Sequence, residues 1–361
     1  MSEIKPLTSL RGIAAMAVVL QHFSATAQKH AATTIPSLVP HGYMAVDLFF
    51  VLSGFIMTYT YLADFEAQGV RAFPTFMGKR VARIVPLNLL AVALVVLAGA
   101  ASQALLSRNI FHDSHNLAFD VAANAFMVQG LGIGTNLNGP SWSLSTEFAA
   151  YFLFPLFLAL ILHPRRIVAV VALALSTLIL CWMASMNTRL GLADDSTLGG
   201  IGRCFTEFCL GMGTYRVIQA PRIRDFLARD AIAMLILAAS AAMLVLRVDL
   251  FAALLFPAVV ATLACNRGRV AAAFSTRIPY FLGVISFSIY LLHNMFRPIE
   301  LLILQTVHPA PLSTPVALAF ALFGSLTVIP FAWLAYVAVE RPGRTVVRAL
   351  IAAPRQAFGR V

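Results

Sequence analysis

The sequence predicts an all-α, polytopic membrane protein of about ten transmembrane helices with both termini cytoplasmic, and three observations carry that expectation. Of its 361 residues 60% are hydrophobic and only 11% are charged, against about 25% charged in an ordinary soluble domain. Mean hydropathy is +0.84, and apolar runs long enough for a bilayer recur along the chain. The basic residues, finally, are distributed so unevenly between alternate connections that they define a sidedness. In lipid the backbone must satisfy its own hydrogen bonds, so such runs read as helices.

Ten apolar segments follow in order: 10–27, 43–62, 84–106, 142–162, 166–186, 202–218, 230–247, 249–265, 280–304 and 316–338. The longest connection, 107–141, contains a weaker apolar patch, LAFDVAANAFMVQGLGIG, that is expected to fold back onto the protein. With the N-terminus inside, nineteen of the 26 Lys and Arg fall in cytoplasmic segments, four fall outside, and Arg11, Arg203 and Arg297 fall within spans. Adding or removing one helix would scramble that asymmetry. It also accounts for the net charge of +11 with no nucleic acid among the partners. The membrane domain is placed at residues 1–345 and a short basic cytoplasmic tail at 346–361. The first segment is expected to be retained rather than cleaved. Cys181, Cys204, Cys209 and Cys265 lie in or beside apolar segments without ligand spacing, so they read as packing residues and no metal is expected.

Within the first span, LTSLRGIAAMAVVLQHF, Arg11 and His22 are eleven residues apart. Eleven steps advance about 16 Å along an α-helix and return to within about 20° of one face. Arg11 then sits at the cytoplasmic rim and His22 in the outer half of a hydrocarbon core about 30 Å thick, both toward one groove. Taken singly, Arg11 also reads as a snorkelling anchor and His22 as an interhelical hydrogen bond. Asp47, early in the second span, and Glu147, in SWSLSTEF of the fourth, are expected at a depth similar to His22. A carboxylate beside an imidazole fixes its tautomer and raises its basicity, which suits general-base work. The competing reading makes Asp47 and Glu147 counter-ions of Arg203 or Arg297. Arg203 and Glu207 are spaced for local pairing, as are Arg297 and Glu300. Arg203 is also a candidate contact for an acceptor, and His293, in ISFSIYLLHN, stands near the groove or in the packing. Glu340 is expected to pair with a nearby arginine. In FMGKRVARIVPL, Arg80 and Arg83 share one helical face and Lys79 adds a third cation, a cluster suited to phosphate oxygens or to anionic lipid.

These features, in this order and over nearly the whole length, resemble the acyltransferase 3 family of bacterial integral-membrane O-acyltransferases. They comprise LRGIAA with Arg11 and His22, VDLFFVLSGFI, Arg80 and Arg83, the WSLSTEF block with Trp142, Ser143 and Glu147, SFSIYLLH, and VERP. The resemblance implies transfer of an acyl group, commonly acetyl from acetyl-CoA taken at the cytoplasmic side, to a hydroxyl of a cell-surface polysaccharide or lipid-linked glycan. It implies a multi-pass protein of the bacterial inner membrane, with acyl-CoA as co-substrate, membrane lipids around it and no bound cofactor. Arg11, Lys79, Arg80 and Arg83 would hold the donor. His22 would deprotonate the acceptor hydroxyl, with Glu147 and Asp47 orienting it, and Trp142, Ser143, Arg203 or His293 would touch the acceptor or the thioester carbonyl. Direct transfer and an acyl-histidine relay both remain open. A secondary transporter with a midplane His/carboxylate site is the alternative reading, although no internal repeat is evident.

Overall fold

The structure, a computed structural model, describes residues 3–357 apart from 33, 35–38, 40, 108, 188–190, 193–196, 297, 298, 300, 301, 303–305 and 307–310. The described residues are helical, with one isolated bridge between Ala31 and Leu312. Although part of 280–304 lies outside the described residues, described helices fall in each of the ten apolar segments. They are α1 (Lys5–His30), α2 (Ala45–Gln68), α3 (Phe73–Leu106), α4 (Leu117–Ala125), α5 (Ser141–Ile161), α6 (Arg166–Ser185) and α7 (Thr197–Val217). Next come α8 (Pro221–Leu227), α9 (Asp230–Val245), α10 (Asp249–Cys265), α11 (Arg269–Phe274), α12 (Arg277–Val284) and α13 (Ser286–Leu292). The last two are α14 (Thr314–Ala335) and α15 (Arg341–Ala357). Arg297 and Glu300 lie outside the described residues.

By length and composition, four described helical stretches can cross a membrane: Gly42–Leu105, Ser141–Ile161, Arg166–Ser185 and Thr314–Leu350. Two bent pairs, α8 with α9 at 72° and α12 with the stretch Ser286–Met295 at 58°, bring the number to six. This is a membrane protein, and the shortfall from ten has a physical origin. Arg11, Gln21 and His22 in α1, and Arg203 with Glu207 in α7, dilute those helices' hydropathy. Both helices turn much of their length into the protein, where lipid sets no demand on composition. α10 is apolar but has only 17 residues.

Small residues bring the central helices together. A Cβ at Gly54 of α2 would stand 1.9 Å from the Phe208 carbonyl oxygen of α7, and one at Gly211 of α7 would stand 2.0 Å from that of Val51. Such backbone contact replaces the hydrophobic drive that lipid withholds from helix pairs. Gly12 of α1 and Gly283 of α12 meet in the same way. The main core gathers around α2, α5 and α7, with Phe50, Phe55, Phe154 and Phe208 buried. A second core joins α1, α13 and α14 through Ala15, Val19, Phe23, Ile289, Ala321 and Val328.

The connection 107–141 does fold back. Asn88 of α3 donates to the Asn124 carbonyl at 2.9 Å, and the Gly130 amide donates to Ser145 Oγ of α5 at 3.0 Å. Asp120 ties this segment to itself, accepting from Ser114 Oγ at 2.5 Å and from the Thr135 amide at 2.7 Å. Those two donors hold the Asp120 carboxyl below its usual range. Residues 341–350 of the segment expected as tail and domain end are helical and dock α15 on α3, with Gly343 against Pro86.

Candidate functional site

Side chains from α1, α2, α3, α5 and α13 enclose a cavity of about 100 Å³. Three guanidiniums line it: Arg11 from α1, and Arg80 and Arg83, three residues apart on α3. Among the described residues Glu147 is the single carboxylate of the lining. Arg80 is 7% exposed and donates to the Tyr61 hydroxyl at 2.6 Å. Lys79 does not join the cavity lining; its ammonium lies 5.2 Å from the Tyr61 ring centroid and 4.0 Å from Asp64. Three cations against one anion make the cavity a receptor for negative charge, and guanidiniums match phosphate geometry.

Glu147 is fixed from two sides. Ser53 of α2 and Tyr151, one turn along α5, each donate to its Oε1 at 2.5 Å. Nearby, the Ser143 and Tyr290 hydroxyls are 2.6 Å apart, and both residues line the same cavity. The Pro140 carbonyl accepts from the same pair, 3.0 Å from the Ser143 and 3.2 Å from the Tyr290 hydroxyl. One of the two protons therefore lies between the hydroxyls and the other on that carbonyl, from which it can turn to polarise a substrate carbonyl.

Beside the cavity, Tyr290 leads to the imidazoles. Its carbonyl oxygen lies 2.6 Å from His293 Nδ1, and His293 Nε2 lies 2.7 Å from His22 Nδ1. The two rings are nearly parallel, with centroids 4.9 Å apart. A carbonyl only accepts, so His293 Nδ1 carries a proton. In the neutral pair His293 Nε2 is then the acceptor, His22 Nδ1 is the donor, and the basic lone pair of His22 falls on Nε2. The backbone of α13 thereby sets the tautomer of a histidine on α1. His293 is fully buried.

The structure thus brings Arg11, Arg80, Arg83, Glu147 and Ser143 to one cavity. It does not gather His22, Asp47 and Glu147 into one cluster. Asp47 faces α7, where Arg203 Nε and its NH2 group donate to the two carboxylate oxygens at 2.9 and 2.6 Å. Trp142 lies against the same guanidinium, 5.6 Å from its carbon, and packs edge-on to Phe50. Asp47 and Glu207 are fully buried and Arg203 nearly so. Arg203 therefore bonds across helices to Asp47 rather than being reserved for its i+4 neighbour. Depth along a helix follows from residue number, whereas the face each carboxylate presents depends on how the helices pack. Glu340, as expected, pairs with Arg344, and it also accepts from Ser288 at 2.7 Å.

One cluster escaped the sequence reading. His41 and Tyr43, just before α2, both hydrogen-bond the buried Asp249 carboxylate at the start of α10, and the Leu192 amide adds a bond at 2.9 Å. The HGY triplet and an Asp opening a helix were its only signals.

Known proteins resemble this chain in sequence over part of their length. The acyltransferase MdmB of Streptomyces mycarofaciens is 31% identical over 164 residues, a match covering 44% of this chain and 40% of that protein. The peptidoglycan O-acetyltransferase OatA of Listeria monocytogenes is 25% identical over 189 residues, covering 50% of this chain and 28% of its own. The matches thus span less than half the length of either relative. No solved structure matches. The family model for the acyltransferase domain matches residues 5–337, nearly the whole helical body that carries the arginine cavity and the paired histidines, and on that extent the chain belongs to the acyltransferase 3 family.

Proposed function

We propose that this protein is a membrane-bound O-acyltransferase that moves an acyl group, acetyl from acetyl-CoA, to a hydroxyl of a cell-surface polysaccharide or lipid-linked glycan. In this reading it spans the bacterial inner membrane ten times, with both termini cytoplasmic. The observation that carries the proposal is the convergence of Arg11, Arg80 and Arg83 on one cavity whose wall connects through Tyr290 and His293 to His22.

The roles follow from the chemistry of each group. The three guanidiniums bind the phosphates of the donor, and the offset of about 16 Å between Arg11 and His22 matches the reach of an extended pantetheine arm. His22 Nε2 removes the proton of the acceptor hydroxyl as its oxygen attacks the thioester carbonyl. The oxyanion that develops is met by the one proton of the Ser143–Tyr290 pair that turns to it from the Pro140 carbonyl. When the intermediate collapses, the C–S bond breaks and the departing thiolate takes the proton back from His22. His293 holds the imidazole in the productive tautomer. Glu147, gripped by Ser53 and Tyr151, accepts from an acceptor hydroxyl, while Asp47, Arg203 and Trp142 brace α2 against α7.

The test uses membranes bearing the wild type or His22→Ala, supplied with acetyl-CoA labelled in the acetyl group. Label should reach glycan or lipid-linked sugar only with the wild type. Equal labelling in both removes His22 from the reaction.

A further inference from the structure

A second and larger space, about 570 Å³, opens between the N-terminal end of α1, the middle of α2, the C-terminal ends of α7 and α10, and the short helices α8 and α11. It is of the size that small-molecule sites occupy, more than five times the arginine cavity, and α2 separates the two. Phe55 and Tyr59, four residues apart, line the second space, whereas Ser53, Ile56 and Met57 line the first from another face of the same helix.

Two chemistries meet in this cleft. Its inner wall is aromatic: the partly exposed rings of Tyr59 and Tyr215, with centroids 6.4 Å apart, pack on the fully buried Phe55. Its rim is basic, with Lys5, Arg224 and Arg267 exposed around it. The one acid of the lining, Glu3, is engaged by the hydroxyls of Thr8 at 2.7 Å and Tyr280 at 2.9 Å. Cations select phosphate, and aromatic faces select a flat heterocycle that stacks. A phospholipid headgroup supplies the phosphate but no flat ring, so the aromatic wall decides between the two sources.

We infer that this cleft is a binding site for a nucleoside phosphate, distinct from the arginine cavity. The inference stands apart from the acyl-transfer reading, because none of its lining residues belongs to that machinery. The test is binding of a fluorescent N-methylanthraniloyl ADP to the purified full chain in phospholipid-free detergent, read as anisotropy, with ADP, inorganic phosphate and glycerol 3-phosphate as competitors. ADP should displace the probe at least tenfold better than either small phosphate. Tyr215→Ala and Arg267→Glu should each weaken binding about tenfold, more than Arg83→Ala does. Arg267 is exposed, so its variant keeps the test decisive even where Tyr215→Ala fails to fold. Absence of binding, equal displacement by glycerol 3-phosphate, or loss in Arg83→Ala with retention in Arg267→Glu each overturns the assignment. None of these outcomes touches the labelling result expected of His22→Ala.

Discussion

Replacing Arg203 by Met should damage the fold more than removing every charge around it. Arg203 makes two hydrogen bonds to Asp47 at 2.6 and 2.9 Å, and neither side chain is more than 3% exposed. At an effective dielectric of about 20, unit charges about 4 Å apart attract by about 4 kcal/mol. Arg203→Met deletes that attraction and leaves the Asp47 carboxylate buried beside Glu207, for which the expected cost is about 3–5 kcal/mol. Asp47→Leu should cost less, because Glu207 stands one turn along α7 as a substitute partner for the guanidinium. The triple variant Asp47→Leu, Arg203→Met, Glu207→Gln leaves no orphaned charge and should lie within about 2 kcal/mol of the wild type. Thermal unfolding in detergent, followed by tryptophan fluorescence, gives the ranking, and acetyl transfer in membranes gives the function. Equal destabilisation by the single and triple variants would refute the electrostatic argument. A stable triple variant without transfer would return Asp47 to the chemistry and refute its bracing role.

Three further outcomes are expected. Gly54→Ala puts a methyl 1.9 Å from the Phe208 carbonyl oxygen, so α2 and α7 must separate; a loss of about 1–3 kcal/mol should register as a lower unfolding temperature, whereas Gly69→Ala, with open space around it but φ 57° and ψ −140°, should cost about 1–3 kcal/mol through the backbone alone. Tyr151→Phe keeps the ring and removes one of the two donors on Glu147; a bond to a charged group contributes about 1.5–3 kcal/mol, so transfer should fall about ten- to a hundredfold with donor affinity intact. Asp120 titrates below its ordinary value in the folded chain, first through Ser114 and then through the Thr135 amide. Its contribution is therefore fully present above the unfolded value of about 3.9 and is lost as the pH falls through the lower folded value. Amide protection factors over residues 114–135 should fall below about pH 4 in the wild type, and Asp120→Asn should be less protected at neutral pH with a weaker acid dependence.

What the sequence made legible and what it hid divide along a physical line. Periodicity places residues along a helix, so the meeting of Arg11 with Arg80 and Arg83 was accessible from the cytoplasmic side expected for all three. The spacing of Arg80 and Arg83 already put both on one face. Rotation about each helix axis is set by packing, through contacts such as Gly54 on Phe208 and Gly211 on Val51, and no single helix contains that information. For this reason Asp47, matched in depth to His22, turned out to face Arg203. The residue that sets the His22 tautomer, His293, comes from 271 positions away, and its orienting carbonyl belongs to the backbone, which leaves no mark on side-chain identity. The Asp249 clamp was hidden because its His and Tyr donors lie in a connection, outside any periodic pattern.

Acetyl-CoA binding and acetyl transfer, measured side by side on Arg83→Ala and His22→Ala, test the central claim most directly. The account predicts that Arg83→Ala weakens donor binding about ten- to a hundredfold, and that His22→Ala binds the donor normally but transfers nothing. Unchanged donor affinity in Arg83→Ala, or transfer by His22→Ala at the wild-type rate, would contradict it.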